Sequence, residues 1–185
     1  MDASQVQYVA RAGNYVRHGF SYHGALRILK VIMGYDYLWI NVRVKGGAYG
    51  CMNSYMRNGD TYFVSYRDPN LKKTDEIYDG IPQYLADFKA DEREMTKYII
   101  GTISDMDTPM NPAARGMRSF SAYICNSDYE TLKKERLQVL DATAQDIRNL
   151  APLIRSAVDE DYLSVVGNQA KINDNSEMFD EIVSL

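Results

Sequence analysis

Apolar residues along the chain follow two different periods, which separate predicted strands from predicted helices. Stretches rich in β-branched and aromatic residues predict strands at residues 4–12, 49–57, 61–67 and 161–167. Asn58-Gly59 lies between the second and third stretches, and Asn-Gly between two such runs is typical of a β-hairpin. We therefore expect the second and third strands to pair through a tight connection.

Most of the remaining chain has helical periodicity. From His23 onward, apolar residues recur at helical spacing on most sides, which is typical of a buried helix. This helix is expected to end near Gly46-Gly47, because glycine readily adopts the left-handed conformation that terminates helices. Later stretches predict one kinked helix at 71–88 and further helices at 95–106, 113–124, 127–140, 143–158 and 176–183.

Helix start signals support several of these boundaries. Ser127 with Glu130 three positions later matches a capping box, and Thr143 with Asp146 has a looser form of the same pattern. Pro112 is well placed as a first helical residue, since its missing N–H would have no partner there.

The predicted order of elements defines the fold class. One strand, a helix, a hairpin, a run of helices, a last strand and a short helix favour an α+β, two-layer α/β sandwich. We expect a mostly antiparallel or mixed sheet with helices on one face. No linker, repeat or change in composition divides the chain, so residues 1–185 are interpreted as a single domain.

Composition excludes several classes of partner. The 185 residues are 45% hydrophobic and 25% charged, which is typical of a globular protein. The net charge of −4 argues against a nucleic-acid-binding surface, which is usually basic. No apolar run approaches the ~20 residues of a membrane helix, and residues 1–5 lack signal-peptide features. Cys51 and Cys125 suit free thiols in a reducing, cytoplasmic compartment, although the sequence also permits one disulfide.

Self-contained catalytic motifs are absent from the sequence. It has no nucleophile elbow, phosphate loop, dinucleotide fingerprint or zinc-peptidase motif. His18 and His23 lack a third partner at ligand spacing, so we expect a surface or capping pair rather than a metal site. The glycine-rich residues 46–50 run from a helix into a strand, whereas phosphate loops run from a strand into a helix.

Tyrosine is abundant around the first helix and the hairpin. Such amphipathic rings suit either a buried sheet face or a surface that receives a peptide, and the pattern favours burial. The residues concerned are Tyr35, Tyr37, Tyr49, Tyr55, Tyr62 and Tyr66.

The segment YDYLWINVRVKGGAYG at residues 35–50 carries a family resemblance. It resembles the last domain of the pitrilysin/insulinase family of zinc metallopeptidases, most closely the presequence-protease subfamily. In that subfamily a helix ending in Leu-Trp-x-x-Val-Arg runs into Gly-Gly-Ala-Tyr-Gly. SYRDPN at 65–70 and DYLSVVG at 161–167 resemble the hairpin exit and final strand of the same domain, in the same order.

The resemblance implies particular roles for four residues. Members of the subfamily have four domains in two halves that close around a chamber, and the last domain lends an Arg and a Tyr to the bound peptide. Those positions match Arg43 and Tyr49, and Gly46 and Gly47 would let the backbone turn and the substrate approach. A tyrosine hydroxyl can stabilise the oxyanion of peptide hydrolysis, and a guanidinium can hold carbonyls or a carboxylate. The pattern alone favours a structural interpretation, in which Arg43 caps its helix and Tyr49 is a half-buried strand residue; the resemblance reverses that preference.

The resemblance also implies what the chain lacks. The family's zinc ligands and catalytic Glu lie on the first domain and do not occur here, so no cofactor is expected in this chain and zinc is expected in the parent enzyme. We interpret the chain as the C-terminal domain of a four-domain peptidase that degrades short unfolded peptides, inactive alone. Its partners would then be the other domains and the peptide, and its start would not report localisation. The alternative is a non-catalytic structural or interaction domain, related to inactive subunits of the family.

Overall fold

The computed structural model describes residues 5–183 and contains a four-stranded antiparallel sheet. The strands, in chain order, are β1 (Gln7–Asn14), β2 (Gly50–Tyr55), β3 (Asp60–Asp68) and β4 (Tyr162–Val166). They lie side by side in the order β2-β3-β1-β4, so the first strand is central and pairs with both β3 and β4. The four predicted strands and the α+β sandwich are confirmed; residue 4, the predicted start of the first strand, lies outside the described residues.

The helices connect and follow these strands. They are α1 (Ala25–Ile32), α2 (Lys72–Asp79), α3 (Ile81–Ala86), α4 (Glu92–Met106), α5 (Pro112–Ile124), α6 (Tyr129–Leu140), α7 (Ala144–Arg148), α8 (Ala151–Val158) and α9 (Gln169–Asn173), with 3₁₀ turns at Tyr15–His18 and Ser176–Met178. Within residues 5–183, no helix is long and apolar enough to cross a membrane.

The two faces of the sheet differ in burial. Val9 and Phe63 lie on the face covered by helices and are 0% and 1% exposed, whereas Tyr8 and Met52 on the other face are each 51% exposed. This alternation follows from the two-residue period of a strand. It confirms that the helices cover one face and leaves the opposite face open.

The hairpin forms as predicted. β2 and β3 pair from Gly50↔Tyr66 to Tyr55↔Thr61, and Met56 N donates to Asp60 O at 2.8 Å across the connection. Gly59 has φ +96°, a conformation that favours glycine.

The first helix extends to its predicted end, but its later part is π-helical. After α1 the chain continues as π-helix at Met33–Tyr37 and again at Trp39–Val44. Met33 and Leu38 are both fully buried and lie five residues apart, which matches the i→i+5 repeat of a π turn. The apolar pattern predicted a helix but not this local change of repeat.

Two predicted helices are each divided in the structure. The prediction of one kinked helix at 71–88 was wrong in this detail, because α2 and α3 are separate helices joined at Gly80. The segment 143–158 likewise forms α7 and α8, with Pro152 in the first turn of the second. Proline lacks the N–H that would continue the preceding helix, so it starts a new one here.

Helix caps agree with the sequence in one case and differ in another. Thr143 and Asp146 form the expected capping box. The cap of α6 is Asp128 rather than Ser127, because the Asp128 carboxylate accepts from Thr131 N at 2.8 Å. The helix predicted at 176–183 is only a single 3₁₀ turn, and α9 was not predicted.

Gly13 provides a direct test of how closely the sheet and helices approach. A Cβ at Gly13 would lie 1.9 Å from the backbone O of Ala157 in α8. We expect Gly13→Ala to lower the free energy of unfolding by about 1–3 kcal/mol, since relieving this overlap requires backbone movement. Urea unfolding would measure the change. Gly116→Ala is the matched control: nothing lies within 4 Å of its Cβ position, and alanine favours the helix. Equal stabilities of the two variants would contradict this packing.

Candidate functional site

The end of the π-helix and the start of β2 are joined by a tight, capped turn. Gly47 has φ +83°, and its N–H donates to Arg43 O at 2.9 Å, while Ala48 N donates to Val42 O at 3.2 Å. These bonds satisfy carbonyl groups that the helix leaves without partners. A Cβ at Gly46 would lie 2.4 Å from Val42 O, so glycine is required at both positions of the turn.

A buried aspartate at the end of β3 holds this turn from the other side. Asp68 is fully buried, and its carboxylate accepts from Asn70 N at 2.8 Å and from Thr74 Oγ1 at 2.7 Å. Asn70 Nδ2 donates in turn to Gly46 O at 2.6 Å. Two of the segments that carried the family resemblance, 35–50 and 65–70, are therefore in direct contact.

An open groove lies beside this turn. Its lining consists of the helix end, the turn and one residue of β3: Trp39, Arg43, Val44, Gly47, Ala48, Tyr49 and Arg67. The structure thus brings the predicted residues Arg43, Gly47 and Tyr49 to one surface. Gly46 does not line the groove; its contribution is to the backbone of the turn.

Aromatic contacts orient both predicted polar side chains. The Arg43 guanidinium lies over the Trp39 ring, 3.9 Å from its centroid, as an i,i+4 pair on the helix allows. The Tyr49 ring meets the edge of Tyr66 at 5.3 Å between centroids. Tyr49 is 59% exposed, and its hydroxyl has no hydrogen-bond partner among residues 5–183. That hydroxyl is free to donate to a ligand in the groove.

The groove is electropositive. Neither Arg43 nor Arg67 has a carboxylate within 4 Å in the described part of the chain. Cys51 lies nearby, but burial raises the pKa of its thiol to about 11 although Arg43 acts in the opposite direction. The Cys51 thiol therefore stays protonated near neutral pH and is not an activated nucleophile.

Four groove residues were missed by the sequence interpretation, and two of them, Trp39 and Arg67, carry aromatic or charged side chains. Trp39 lies inside the resembling segment, and its i,i+4 spacing to Arg43 was the available signal. Arg67 is 18 positions from Tyr49 by sequence numbering, and no local pattern links them. Only strand pairing places it in the groove, where Tyr49 N donates to Arg67 O at 3.3 Å.

The predicted burial of the tyrosine group holds only in part. Tyr55 is 8% exposed and Tyr37 packs against the core, donating from its hydroxyl to Ile77 O at 2.9 Å. Tyr35 and Tyr49 are 73% and 59% exposed, so for them the prediction was wrong. Tyr49 lies one residue before β2, and its ring contacts Tyr66.

The remaining candidates for metal or redox chemistry have structural roles. His18 Nε2 lies 2.9 Å from Glu160 Oε1, and His23 Nδ1 accepts from Ala25 N at the start of α1, which confirms the surface and capping prediction. Cys51 and Cys125 are free thiols. Within residues 5–183, no three His, Cys, Asp or Glu side chains gather to form a metal site.

Comparison with known proteins shows that the chain is similar to a domain of peptidases. The model of the PreP C-terminal domain matches residues 3–170. Protein HypA of Clostridium perfringens is 52% identical over 180 residues, which are 97% of this chain and 18% of that protein. Presequence protease 1, chloroplastic/mitochondrial, of Arabidopsis thaliana is 32% identical over 182 residues, which are 96% of this chain and 17% of that protein.

A solved structure supports the fold. A protease from Helicobacter pylori superimposes with a TM-score of 0.66 at 18% identity, covering 90% of this chain and 42% of that one. The chain spans less than a fifth of the length of the two sequence relatives. The chain belongs to the PreP C-terminal domain family, a domain of pitrilysin-family peptidases.

Proposed function

We propose that this chain is the substrate-binding C-terminal domain of a longer, zinc-dependent endopeptidase that degrades short unfolded peptides. One observation carries the proposal: Arg43 and Tyr49, six residues apart, line one open groove on either side of a two-glycine turn. The family membership and the name of the Arabidopsis relative support the same class of activity.

The groove offers donors suited to a peptide carbonyl. Hydrolysis of a peptide bond passes through a tetrahedral intermediate whose carbonyl oxygen becomes an anion. The Tyr49 hydroxyl, exposed and held by its ring contact with Tyr66, would donate a hydrogen bond to that oxygen. Arg43, fixed over Trp39, would hold a neighbouring carbonyl or carboxylate of the peptide.

Rigid support makes these two donors effective. The Asp68–Asn70–Gly46 hydrogen bonds hold the turn between them at 2.6 and 2.8 Å. A donor whose position is fixed before the reaction pays little reorganisation when charge develops. The arrangement is therefore suited to stabilising a transition state rather than merely adhering to a peptide.

The residues that line the groove do not fit zinc. No carboxylate or histidine lines the groove, and no ligand cluster occurs within residues 5–183. In the proposed parent enzyme the metal would therefore be held by another domain, and the other domains of the same chain would be the partners of this one. The chain's own contribution is confined to binding and orienting the peptide and its oxyanion.

The competing function is a structural or protein-interaction domain without a role in cleavage. The groove supports the peptidase interpretation, because a purely structural domain would not need an exposed tyrosine hydroxyl beside a capped, two-glycine turn. An upstream domain with His-x-x-Glu-His in the same reading frame would support the peptidase, and its absence would support the structural role.

A direct experiment compares the full-length chain with the 185-residue domain on a short unfolded fluorogenic peptide. We expect cleavage by the full-length chain that is lost with a zinc chelator and restored by zinc, and no cleavage by the domain alone. Zinc-dependent cleavage by the 185-residue domain would overturn the proposal, as would a full-length chain that binds peptide but does not cut it.

A further inference from the structure

We propose that Arg67 is a second substrate-binding arginine of the groove and that, with Arg43, it selects peptides that present a carboxylate. This inference rests on the proposed function and extends it to substrate preference. It starts from a local irregularity in β3.

A β-bulge places Arg67. β1 and β3 pair Gln7 with Asp68 and Val9 with Ser65, so Tyr66 and Arg67 together oppose Tyr8 alone. One extra residue on one strand is the definition of a bulge, which redirects the side chains that follow it. Arg67 has φ +48°, a left-handed conformation that is uncommon outside glycine.

The bulge moves Arg67 out of the covered face of the sheet. Strict alternation from the buried Phe63 and Ser65 would turn Arg67 toward the helices. The extra residue instead gives that inner position to Asp68, which is fully buried, and leaves Arg67 exposed in the groove. Its guanidinium carbon lies 5.7 Å from the centroid of the Tyr49 ring. The left-handed backbone at Arg67 thus places its guanidinium near Tyr49, the residue proposed to act on the peptide.

The charges around Arg67 indicate what it would bind. Arg11 shows how this protein neutralises a structural arginine, with carboxylates at 2.6, 2.8 and 3.0 Å. Arg43 and Arg67 have no such partner within residues 5–183, although the chain carries a net charge of −4. The nearest acidic residue in sequence, Asp68, is turned inward and occupied by Asn70 and Thr74.

Two unneutralised guanidinium groups in one groove match a carboxylate ligand. A guanidinium presents parallel N–H donors, and its strongest hydrogen bonds are to charged oxygens. On a peptide, the carboxylate can belong to the free C-terminus or to an Asp or Glu side chain. The chemistry is the same in both cases, and the substrates can be made to separate them.

Arg67→Gly is the informative variant, because glycine accepts the positive φ and keeps the bulge while removing the guanidinium. In the full-length enzyme, kcat/KM would be measured on four versions of one peptide: with a single Glu and a free C-terminus, with an amidated C-terminus, with Glu replaced by Gln, and with both changes. Arg93→Ala, an exposed arginine of α4 outside the groove, is the control, and melting temperature reports folding.

We expect Arg67→Gly to lower kcat/KM by roughly tenfold or more on peptides with the recognised carboxylate, the loss typical of a hydrogen bond to a charged group. The ratio of kcat/KM between carboxylate and neutral peptides should fall toward one, and Arg67→Lys should restore it in part. If amidation of the C-terminus alone removes the effect of Arg67→Gly on kcat/KM, the recognised carboxylate is the C-terminus. If replacement of Glu by Gln alone removes that effect, the recognised carboxylate is the side chain.

An unchanged ratio in a folded Arg67→Gly enzyme would overturn the inference, whether kcat/KM is retained or falls equally on all four peptides. Either result can be separated from failure of the proposed function, because Tyr49→Phe would still slow cleavage of all four peptides if that function is correct. A Tyr49→Phe enzyme with full activity would remove the proposed function itself.

Discussion

Tyr49→Phe in the full-length enzyme should lower kcat by about 100-fold, comparable to removing one oxyanion-hole donor elsewhere. Phenylalanine keeps the ring that contacts Tyr66 at 5.3 Å and Arg67 at 5.7 Å, so the variant removes only the hydroxyl. Because the proposed hydrogen bond strengthens as the oxyanion forms, KM should change much less than kcat.

Steady-state kinetics on one unfolded peptide would measure this effect. Tyr123→Phe is the matched control, since Tyr123 is 82% exposed on α5 and does not line the groove. A kcat within twofold of the unmodified enzyme for Tyr49→Phe would exclude the hydroxyl from the mechanism. A rise in KM at constant kcat would instead assign Tyr49 to uniform substrate binding.

Arg11→Met should lower the free energy of unfolding by about 3–5 kcal/mol, as expected when one partner of a buried ion pair is removed. This loss is larger than the one expected for Gly13→Ala. The Arg11 side chain is 5% exposed and joins β1 to two other elements, donating to Asp75 at 2.6 Å and to Val158 O at 3.2 Å. Methionine would leave the Asp75 carboxylate, 13% exposed, without its cation.

Urea unfolding of the 185-residue chain would measure this loss. Arg155→Met is the control, because its pair with Asp159 is exposed, 3.7 Å apart and expected to contribute little. Adding Asp75→Leu to Arg11→Met should recover part of the stability, since no buried charge then lacks a partner. Equal stability of Arg11→Met and the parent chain would contradict a structural role for the cluster.

The stability of the Arg11→Met variant should depend on pH through the carboxyl group of Asp75. Burial already raises the pKa of Asp75, while Arg11 lowers it. Without Arg11, the pKa of Asp75 in the folded state rises further above its pKa in the unfolded state. As the pH falls through the interval between these two pKa values, the folded state binds more protons than the unfolded state. The stability deficit of Arg11→Met should therefore shrink on acidification; a deficit that grows would contradict this account.

Much of the local structure could be predicted because its causes are local. The Asn58-Gly59 connection, the Thr143 capping box and the left-handed Gly47 each depend on residues within a few positions. The errors arose where alternatives compete locally. The cap of α6 is Asp128, one position after the predicted Ser127. Gly80 and Pro152 each divide a predicted helix, although the apolar period continues across them.

The class of fold could be predicted from the sequence, and three groove residues, Arg43, Gly47 and Tyr49, followed from the resemblance of residues 35–50 to a peptidase domain. Arg67 could not be predicted, because its place in the groove depends on one extra residue in the register of β3 against β1. The same holds for Arg11, whose partner Asp75 is 64 residues away. Local propensities depend on residues within a few positions of one another. Strand register and burial couple positions that are far apart in the chain, and this coupling completes the groove.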